Sequence, residues 1–303
     1  MLLAFDIGNS NIVIALFAEN KLIHKWRIIS DNGKSADDYA IDIVEIFLTS
    51  KVDILQINHC IIGSVVPTLT KKINEAVNKI NVDNSSGSNL ILEDVRKNLP
   101  IQIELKNKSE VGIDRLVNAI IGYQKFGGNL VIIDFGTATT FDVVGSNGEY
   151  LGGAISPGLN LSLKALYEMT AQLPKINIRQ QKNVIGKNTF EAMNSGVFFG
   201  YIALIEGMVA RIENEIGIKL KKIITGGIAE IFKNSLNITE DEVEFDNFYN
   251  DNDNSKHLQL NNNENHLANN KLFSIYISQD LYLYSPNLTL EGLNFLYQNL
   301  NKF

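Results

Sequence analysis

A single cysteine, Cys60, stands among 303 residues. With no partner for an internal disulfide, the chain is expected in a reducing compartment. Cys60 lies in the apolar run from Ile57 to Val66, which predicts a small buried core residue. Positive charge is also scarce: 27 Lys and Arg against 34 Asp and Glu leave a net charge of −7. That balance disfavours non-specific binding to nucleic acid or to an anionic membrane surface. No apolar run reaches spanning length, since the longest, Val197 to Ala210, contains Glu206 and two glycines. Met1 to Phe5 meets Asp6 without the basic lead-in of a signal peptide. Together these absences predict a soluble, cytoplasmic protein that binds neither nucleic acid nor membrane. His24, His59, His257 and His266 show no metal-ligand spacing, so no transition-metal site is expected. Gly-x-Gly occurs nowhere, which removes the dinucleotide fingerprint. Gly186-Lys187-Asn188-Thr189 looks like part of a P-loop, but no hydroxyl follows the lysine directly and Gln181 stands where the first glycine belongs.

What is present is ordinary globular material. Hydrophobic residues make up 45% and charged residues 20%, enough to bury one large core or two medium ones. Strand patterns at Leu2 to Phe5, Ile12 to Phe17 and Leu22 to Ile29 precede a helix from Ser35 to Leu48, whose Tyr39, Ile43, Ile46 and Phe47 share a face. A buried strand from Ile57 to Val66 ends at Pro67, and Thr68 to Ile80 is helical. Helices are expected again over Gly112 to Phe126, Leu159 to Leu173 and Asn188 to Ile216, the last opened by Asn188 with Glu191 three residues on. Strands are expected at Asn129 to Ile133 and Phe141 to Val144, and Ile223-Ile224 leads into Thr225-Gly226-Gly227 and a short helix. This alternation predicts an α/β protein. Asp246 to Asn270, rich in asparagine and poor in apolar residues, reads as a loosely held surface insertion without chemistry.

One internal similarity stands out. Leu2 to Phe17 and Val131 to Val144 share a plan of apolar strand, Asp-x-Gly, hydroxyl-rich turn, apolar strand. Asp6-Ile7-Gly8-Asn9-Ser10 and Asp134-Phe135-Gly136-Thr137-Ala138-Thr139-Thr140 occupy equivalent places. Two ordinary hairpins would show the same turn residues. A phosphate, however, needs several converging donors, which glycine-containing turns supply from the backbone. The hydroxyls of Ser10, Thr137, Thr139 and Thr140 are available to add to them. An aspartate at the strand end suits the metal that accompanies a nucleoside triphosphate, usually held through water. Two such hairpins facing one another would grip a phosphate chain from both sides.

With the late Gly-Gly turn, these hairpins resemble those of the actin, Hsp70 and sugar kinase superfamily. Further segments resemble type III pantothenate kinase: Gly112-Ile113-Asp114-Arg115, Asp134 to Thr140, Gly152 to Gly158, Asn188-Thr189 followed by Ser195-Gly196 and Gly200, and Leu288 to Leu293. The resemblance covers nearly the whole chain except the asparagine-rich insertion. It implies two RNase H-like domains with mixed sheets flanked by helices, placed at residues 1–118 and 119–303. It implies ATP-dependent phosphorylation of pantothenate to 4'-phosphopantothenate, the first step towards coenzyme A. It also implies ATP with Mg2+, a monovalent cation (K+ or NH4+), and a homodimer.

Residue by residue, the resemblance assigns Asp6, Ile7, Gly8, Asn9, Ser10, Asn11, Ile12, Val13 and Thr137 to ATP and Asp134 to the monovalent cation. Gly112, Ile113, Asp114 and Arg115 are assigned to pantothenate, with Thr189 reaching it from the neighbouring subunit. Asp114 is the expected general base, since phosphoryl transfer to a hydroxyl needs a proton acceptor. Its place near a helix start should favour the ionised form and make it a weak base before reaction. Arg115 keeps its charge and forks onto carboxylates. In two places the chain departs from the family pattern: Ser10 replaces a threonine but keeps the hydroxyl, and Leu105 replaces an aromatic near the substrate. On the long helix, Gly196, Gly200, Ala203 and Gly207 form a stripe that fits either a partner helix or packing within its own subunit. Rival functions are another small-molecule kinase on the same scaffold, a non-catalytic regulator, and a filament or chaperone ATPase.

Overall fold

The computed structural model describes residues 1–80, 89–240 and 280–300, so the asparagine-rich stretch Asp246 to Asn270 lies outside the described residues. The chain divides into two compact units. The first holds residues 1–121 and the C-terminal helix, and the second begins at Gly122.

The first unit is built on strands β1 (Leu2–Ile7), β2 (Asn11–Ala18), β3 (Lys21–Ile29), β4 (His59–Ser64) and β5 (Leu90–Ile91), in the order β3-β2-β1-β4-β5. β1 to β3 form an antiparallel meander, while β4 runs parallel to β1 and β5 parallel to β4. The parallel step is bridged by helix α1 (Ala36–Thr49), and α2 (Pro67–Lys79) follows β4. Ser35 caps α1 in a capping box with Asp38, and Pro67 stands at the first turn of α2, where its missing N–H costs nothing. Leu3, Phe5, Ile7, Ile12 and Ile14 alternate onto the face that α1 and α2 cover with Tyr39, Ile43, Phe47, Leu69 and Ile73. Cys60 is 2% exposed in this core, as a lone free cysteine was expected to be.

The other face of β1 and β4 carries α6 (Leu288–Leu300). The bare Cα of Gly63 receives Leu293, and Gly292 lets α6 approach Val117 of α3 (Ile113–Phe126). This corrects the expected division of the chain. The C-terminal helix was assigned to the second domain by sequence order, but its apolar residues close the open face of the first sheet.

The second unit repeats the plan. Strands β6 (Leu130–Phe135), β7 (Ala138–Val144), β8 (Tyr150–Pro157), β9 (Lys221–Thr225), β10 (Ile238–Glu240) and β11 (Tyr282–Tyr284) lie in the order β10-β11-β9-β6-β7-β8. β8-β7-β6-β9 reproduces β3-β2-β1-β4, with two antiparallel pairings and then a parallel one. The fold is therefore α/β with two mixed sheets flanked by helices, as expected. β8 escaped the sequence pattern because Gly152 and Gly153 interrupt it. Gly152 takes φ +124° where the β7–β8 register shifts, a bulge that removes the usual alternation. Helix α4 (Leu159–Glu168) stops short of the expected Leu173: Thr170 turns its hydroxyl back onto the Leu166 carbonyl, and Pro174 disfavours helix before it.

Helix α5 (Thr189–Ile216) spans 28 residues and passes the length and hydropathy test for a membrane span, which its broken apolar runs did not suggest. Phe198, Ile202, Ile205 and Val209 from this helix nevertheless form the core against Ile133, Phe135 and Phe141. Near its end Glu213 accepts from Lys219 (2.6 Å), Lys222 (3.0 Å) and the Leu220 amide (3.0 Å).

Candidate active site

The first Asp-x-Gly turn closes β1 onto β2. Asp6 is level with Val13 on one side and Gly63 on the other, and Ile7 pairs with Ile12. Gly8 donates its amide to the Asn11 carbonyl (3.0 Å), leaving Asn9 and Ser10 exposed at the tip and Asp6 half-buried at the strand end. A third strand latches the turn: Ser30, just past β3, donates its hydroxyl to the Gly8 carbonyl (2.6 Å) and its amide to the Ser10 carbonyl (3.1 Å). Ser30 was not among the expected residues. Only the pairing of Asn11 with Ile29 brings it here. Ile7 and Ile12 are fully buried, so this segment offers a ligand their backbone and not their side chains.

The second turn closes β6 onto β7 in the same way. Asp134 lies opposite Thr140, Phe135 opposite Thr139, and Asp134 is level with Thr225 of β9. Gly136 and Thr137 are exposed at the tip, and Gly136 donates to the Ala138 carbonyl (3.0 Å). Two glycines wedge the turn from outside. Gly158 donates its amide to the Thr137 carbonyl (3.1 Å), and a Cβ there would run into the carbonyl oxygens of Gly136 and Thr137. Gly226 takes φ +93°, and a Cβ there would lie 2.6 Å from the Phe135 carbonyl oxygen. The protein's own packing thus demands this glycine. Thr139 differs from expectation: it is fully buried and bonded to the Tyr201 hydroxyl (2.6 Å), because the strand alternation turns it away from Asp134. Thr140 shares the Asp134 face and donates its hydroxyl to Asp142 (2.9 Å), which also accepts from Tyr150 (2.7 Å).

The Gly112–Arg115 segment sits by the first turn. Val65 donates its amide to the Ile7 carbonyl (3.1 Å), and Val65 in turn packs against Gly112, whose Cα leaves room for the Asp114 carboxylate. Asp114 occupies the first turn of α3 and accepts from the Arg115 amide (2.8 Å). Burial pushes its carboxyl above the ordinary range, outweighing the opposing pull of the Arg115 amide and the charges of Arg115 and Arg96. This reverses the expectation of a weak, strongly ionised base: desolvation exceeds the helix-start effect. Arg96, itself paired with Glu93 through two bonds of 2.9 Å, was also not expected here. Nothing in its local sequence marks it; the chain fold carries it to Asp114.

At the start of α5, Asn188 accepts from the Glu191 amide and donates to its carboxylate, both at 2.9 Å, which is the expected cap. Thr189 is exposed on an open cavity of about 680 Å³ that Leu166, Leu173, Gly196 and Val197 also line. The small-residue stripe points outward. A Cβ at Gly196 or Gly200 would meet nothing within 4 Å, and Ala203 is exposed.

Two solved structures share this architecture. One is described as a Baf family transcriptional activator from Campylobacter jejuni, with a TM-score of 0.53 at 19% identity over 99% of both chains. The other carries the provisional description of a 2-dehydro-3-deoxygalactonokinase from Sinorhizobium meliloti, with a TM-score of 0.52 at 8% identity over 98% of this chain and 96% of that one. At these identities the likeness is one of fold alone, an α/β fold of two mixed sheets with an Asp-x-Gly turn at the end of each central strand of this chain. Sequence comparison is narrower. The family profile of type III pantothenate kinase matches residues 2–211. Type III pantothenate kinase from Persephonella marina is 44% identical over 78% of this chain and 91% of the relative. The enzymes of the same name from Citrifermentans bemidjiense and Moorella thermoacetica are 40% and 39% identical, over 80% and 78% of this chain and 94% and 91% of their own length. The chain belongs to the type III pantothenate kinase family.

Proposed function

We propose that the chain transfers the γ-phosphoryl group of ATP to the primary hydroxyl of pantothenate, forming 4'-phosphopantothenate and ADP in the first step of coenzyme A biosynthesis. The observation that carries the reading is the Gly112–Arg115 segment packed by the first Asp-x-Gly turn, with the Asp114 carboxyl raised by burial. Asp114 accepts the proton as the pantothenate oxygen bonds to phosphorus and the bond to the bridging oxygen of ADP breaks. A raised affinity for protons suits a base that must receive one at the transition state. Arg115 supplies a fixed positive charge for the pantothenate carboxylate.

The exposed tips at Asn9–Ser10 and at Gly136–Thr137 are assigned to the ATP phosphates. Each is a glycine-containing turn whose backbone a phosphate can approach. Asp6 is assigned to the magnesium that travels with ATP, whose charge offsets that of the phosphates. Asp134 is assigned to a potassium or ammonium ion. The oxygen set fits a hard cation: Thr140 lies opposite Asp134 and spends its proton on Asp142, so its lone pairs remain for the Asp134 side. Assembly as a homodimer, with Thr189 reaching the partner's pantothenate, is supported by the outward small-residue stripe. Beside it, the partly exposed Leu166 lines the same open cavity as Gly196 and Thr189. A cytoplasmic location accords with the reducing environment that lone Cys60 implies. The test is ADP release with ATP, magnesium and potassium: release should require pantothenate, and equal release with glucose, acetate or no acceptor would overturn the assignment.

A further inference from the structure

Tyr201 stands midway along α5 and is 5% exposed. Its ring packs against Phe135 (6.1 Å between centroids) and Phe232 (5.8 Å), and its hydroxyl touches two oxygens, Thr139 Oγ1 at 2.6 Å and the Pro157 carbonyl at 2.9 Å. A phenol has one proton, and a carbonyl has none to give. Tyr201 therefore donates to Pro157, and Thr139 donates to Tyr201. Burial raises the Tyr201 hydroxyl above its ordinary range and keeps it protonated for this role.

Both partners frame the second turn. Thr139 faces Phe135 in its closing pair, and Pro157 faces Ala138 from β8. Pro157 leads directly into Gly158, which bonds to the Thr137 carbonyl. One phenol oxygen thus ties β7, which leaves the turn, to the end of β8, which leads into Gly158, and joins both to α5, while the Tyr201 ring meets Phe135 at the end of β6. The neighbouring elements leave the tip itself exposed, so its shape depends on what holds its two flanks.

We propose that Tyr201 is a positioning residue for ATP, holding the Gly136-Thr137 turn in its phosphate-binding shape without touching the nucleotide. The inference rests on the assignment of the second turn to ATP. Tyr201→Phe keeps the ring in its aromatic cluster and removes both bonds, while Thr139→Val removes one from the other side. The full chain is assayed for KM of each substrate and for kcat, and calorimetry reads the affinity for a non-hydrolysable ATP analogue. Loss of a hydrogen bond of ordinary net strength corresponds to a change of about three- to tenfold. Tyr201→Phe should weaken analogue binding and raise the ATP KM by that factor, with the pantothenate KM unchanged. The Tyr201→Phe, Thr139→Val double variant should behave as Tyr201→Phe alone. A merely structural role would lower the active fraction and leave both KM values in place, and that result, or full additivity in the double variant, overturns the inference. Gly158→Ala, which displaces the backbone of the turn itself, separates the two levels. If it leaves ATP binding intact, the assignment of the turn fails; if it weakens ATP binding while Tyr201→Phe does not, only the role of Tyr201 fails.

Discussion

Replacing Asp114 with asparagine should separate catalysis from stability. The new amide keeps an oxygen that accepts from the Arg115 amide, the bond that fixes the carboxylate at 2.8 Å. It keeps the same volume beside Gly112, so packing is conserved. What it loses is the capacity to take the pantothenate proton, and removal of a general base costs about two to four powers of ten in turnover. The effect on stability has the opposite sign. Because burial raises the folded-state pKa of Asp114, the carboxyl favours the folded form only when protonated. That contribution is complete below the unfolded carboxylate value of about 3.9 and is lost as pH rises through the raised folded value. At neutral pH the wild type therefore bears the cost of an ionised, desolvated carboxylate that the amide does not bear. Asp114→Asn should melt at or above the wild-type temperature at pH 7, and the gain should vanish at acid pH. Turnover measured by ADP release, with melting followed by circular dichroism across pH, reads both quantities. Near wild-type turnover would leave Asp114 a purely positional residue, and a lower melting temperature at pH 7 would refute the argument from burial.

Gly158→Ala places a methyl group against the carbonyl oxygens of Gly136 and Thr137, so the second turn must shift; overpacking of this kind costs about 1–3 kcal/mol, and the ATP KM should rise while the pantothenate KM holds. Asp134→Ala should remove the activation by potassium or ammonium together with most turnover, and retained activation in a titration of potassium chloride against sodium chloride would count against a cation role. Mixing Asp114→Asn chains with Thr189→Ala chains should restore activity on subunit exchange, because a mixed dimer with shared sites has one doubly damaged and one intact site. No recovery, with exchange confirmed by native mass spectrometry, would mean that each chain builds its own site.

Much of this was legible in the chain because the repeated features are local. The two Asp-x-Gly turns sit between strands whose apolar alternation is plain, and both hairpins formed with the aspartate one pair before the close. Ser35, Asn188 and Pro67 marked helix starts through chemistry confined to one turn. What was not legible depends on contacts distant in sequence. Ser30 reaches the first turn through β2–β3 pairing, Arg96 reaches Asp114 through the course of the chain after β5, and α6 joins the first sheet across more than half the chain. The orientation of Thr139 was open to deduction from the two-residue period of β7, since Asp134 pairs with Thr140. Its partner Tyr201 was not, because a tyrosine within an apolar helix gives no sign of where its hydroxyl lands.

The two turns and Asp114 together require that a phosphoryl group move from ATP to the pantothenate hydroxyl on this chain. Incubation with ATP labelled in its γ-phosphorus, followed by isolation of the pantothenate, tests it directly. Label is expected on the primary hydroxyl of pantothenate with wild-type protein, with a loss of about two to four powers of ten in its rate of appearance with Asp114→Asn. Label recovered only as inorganic phosphate, or on pantothenate at equal rates with both proteins, would contradict it.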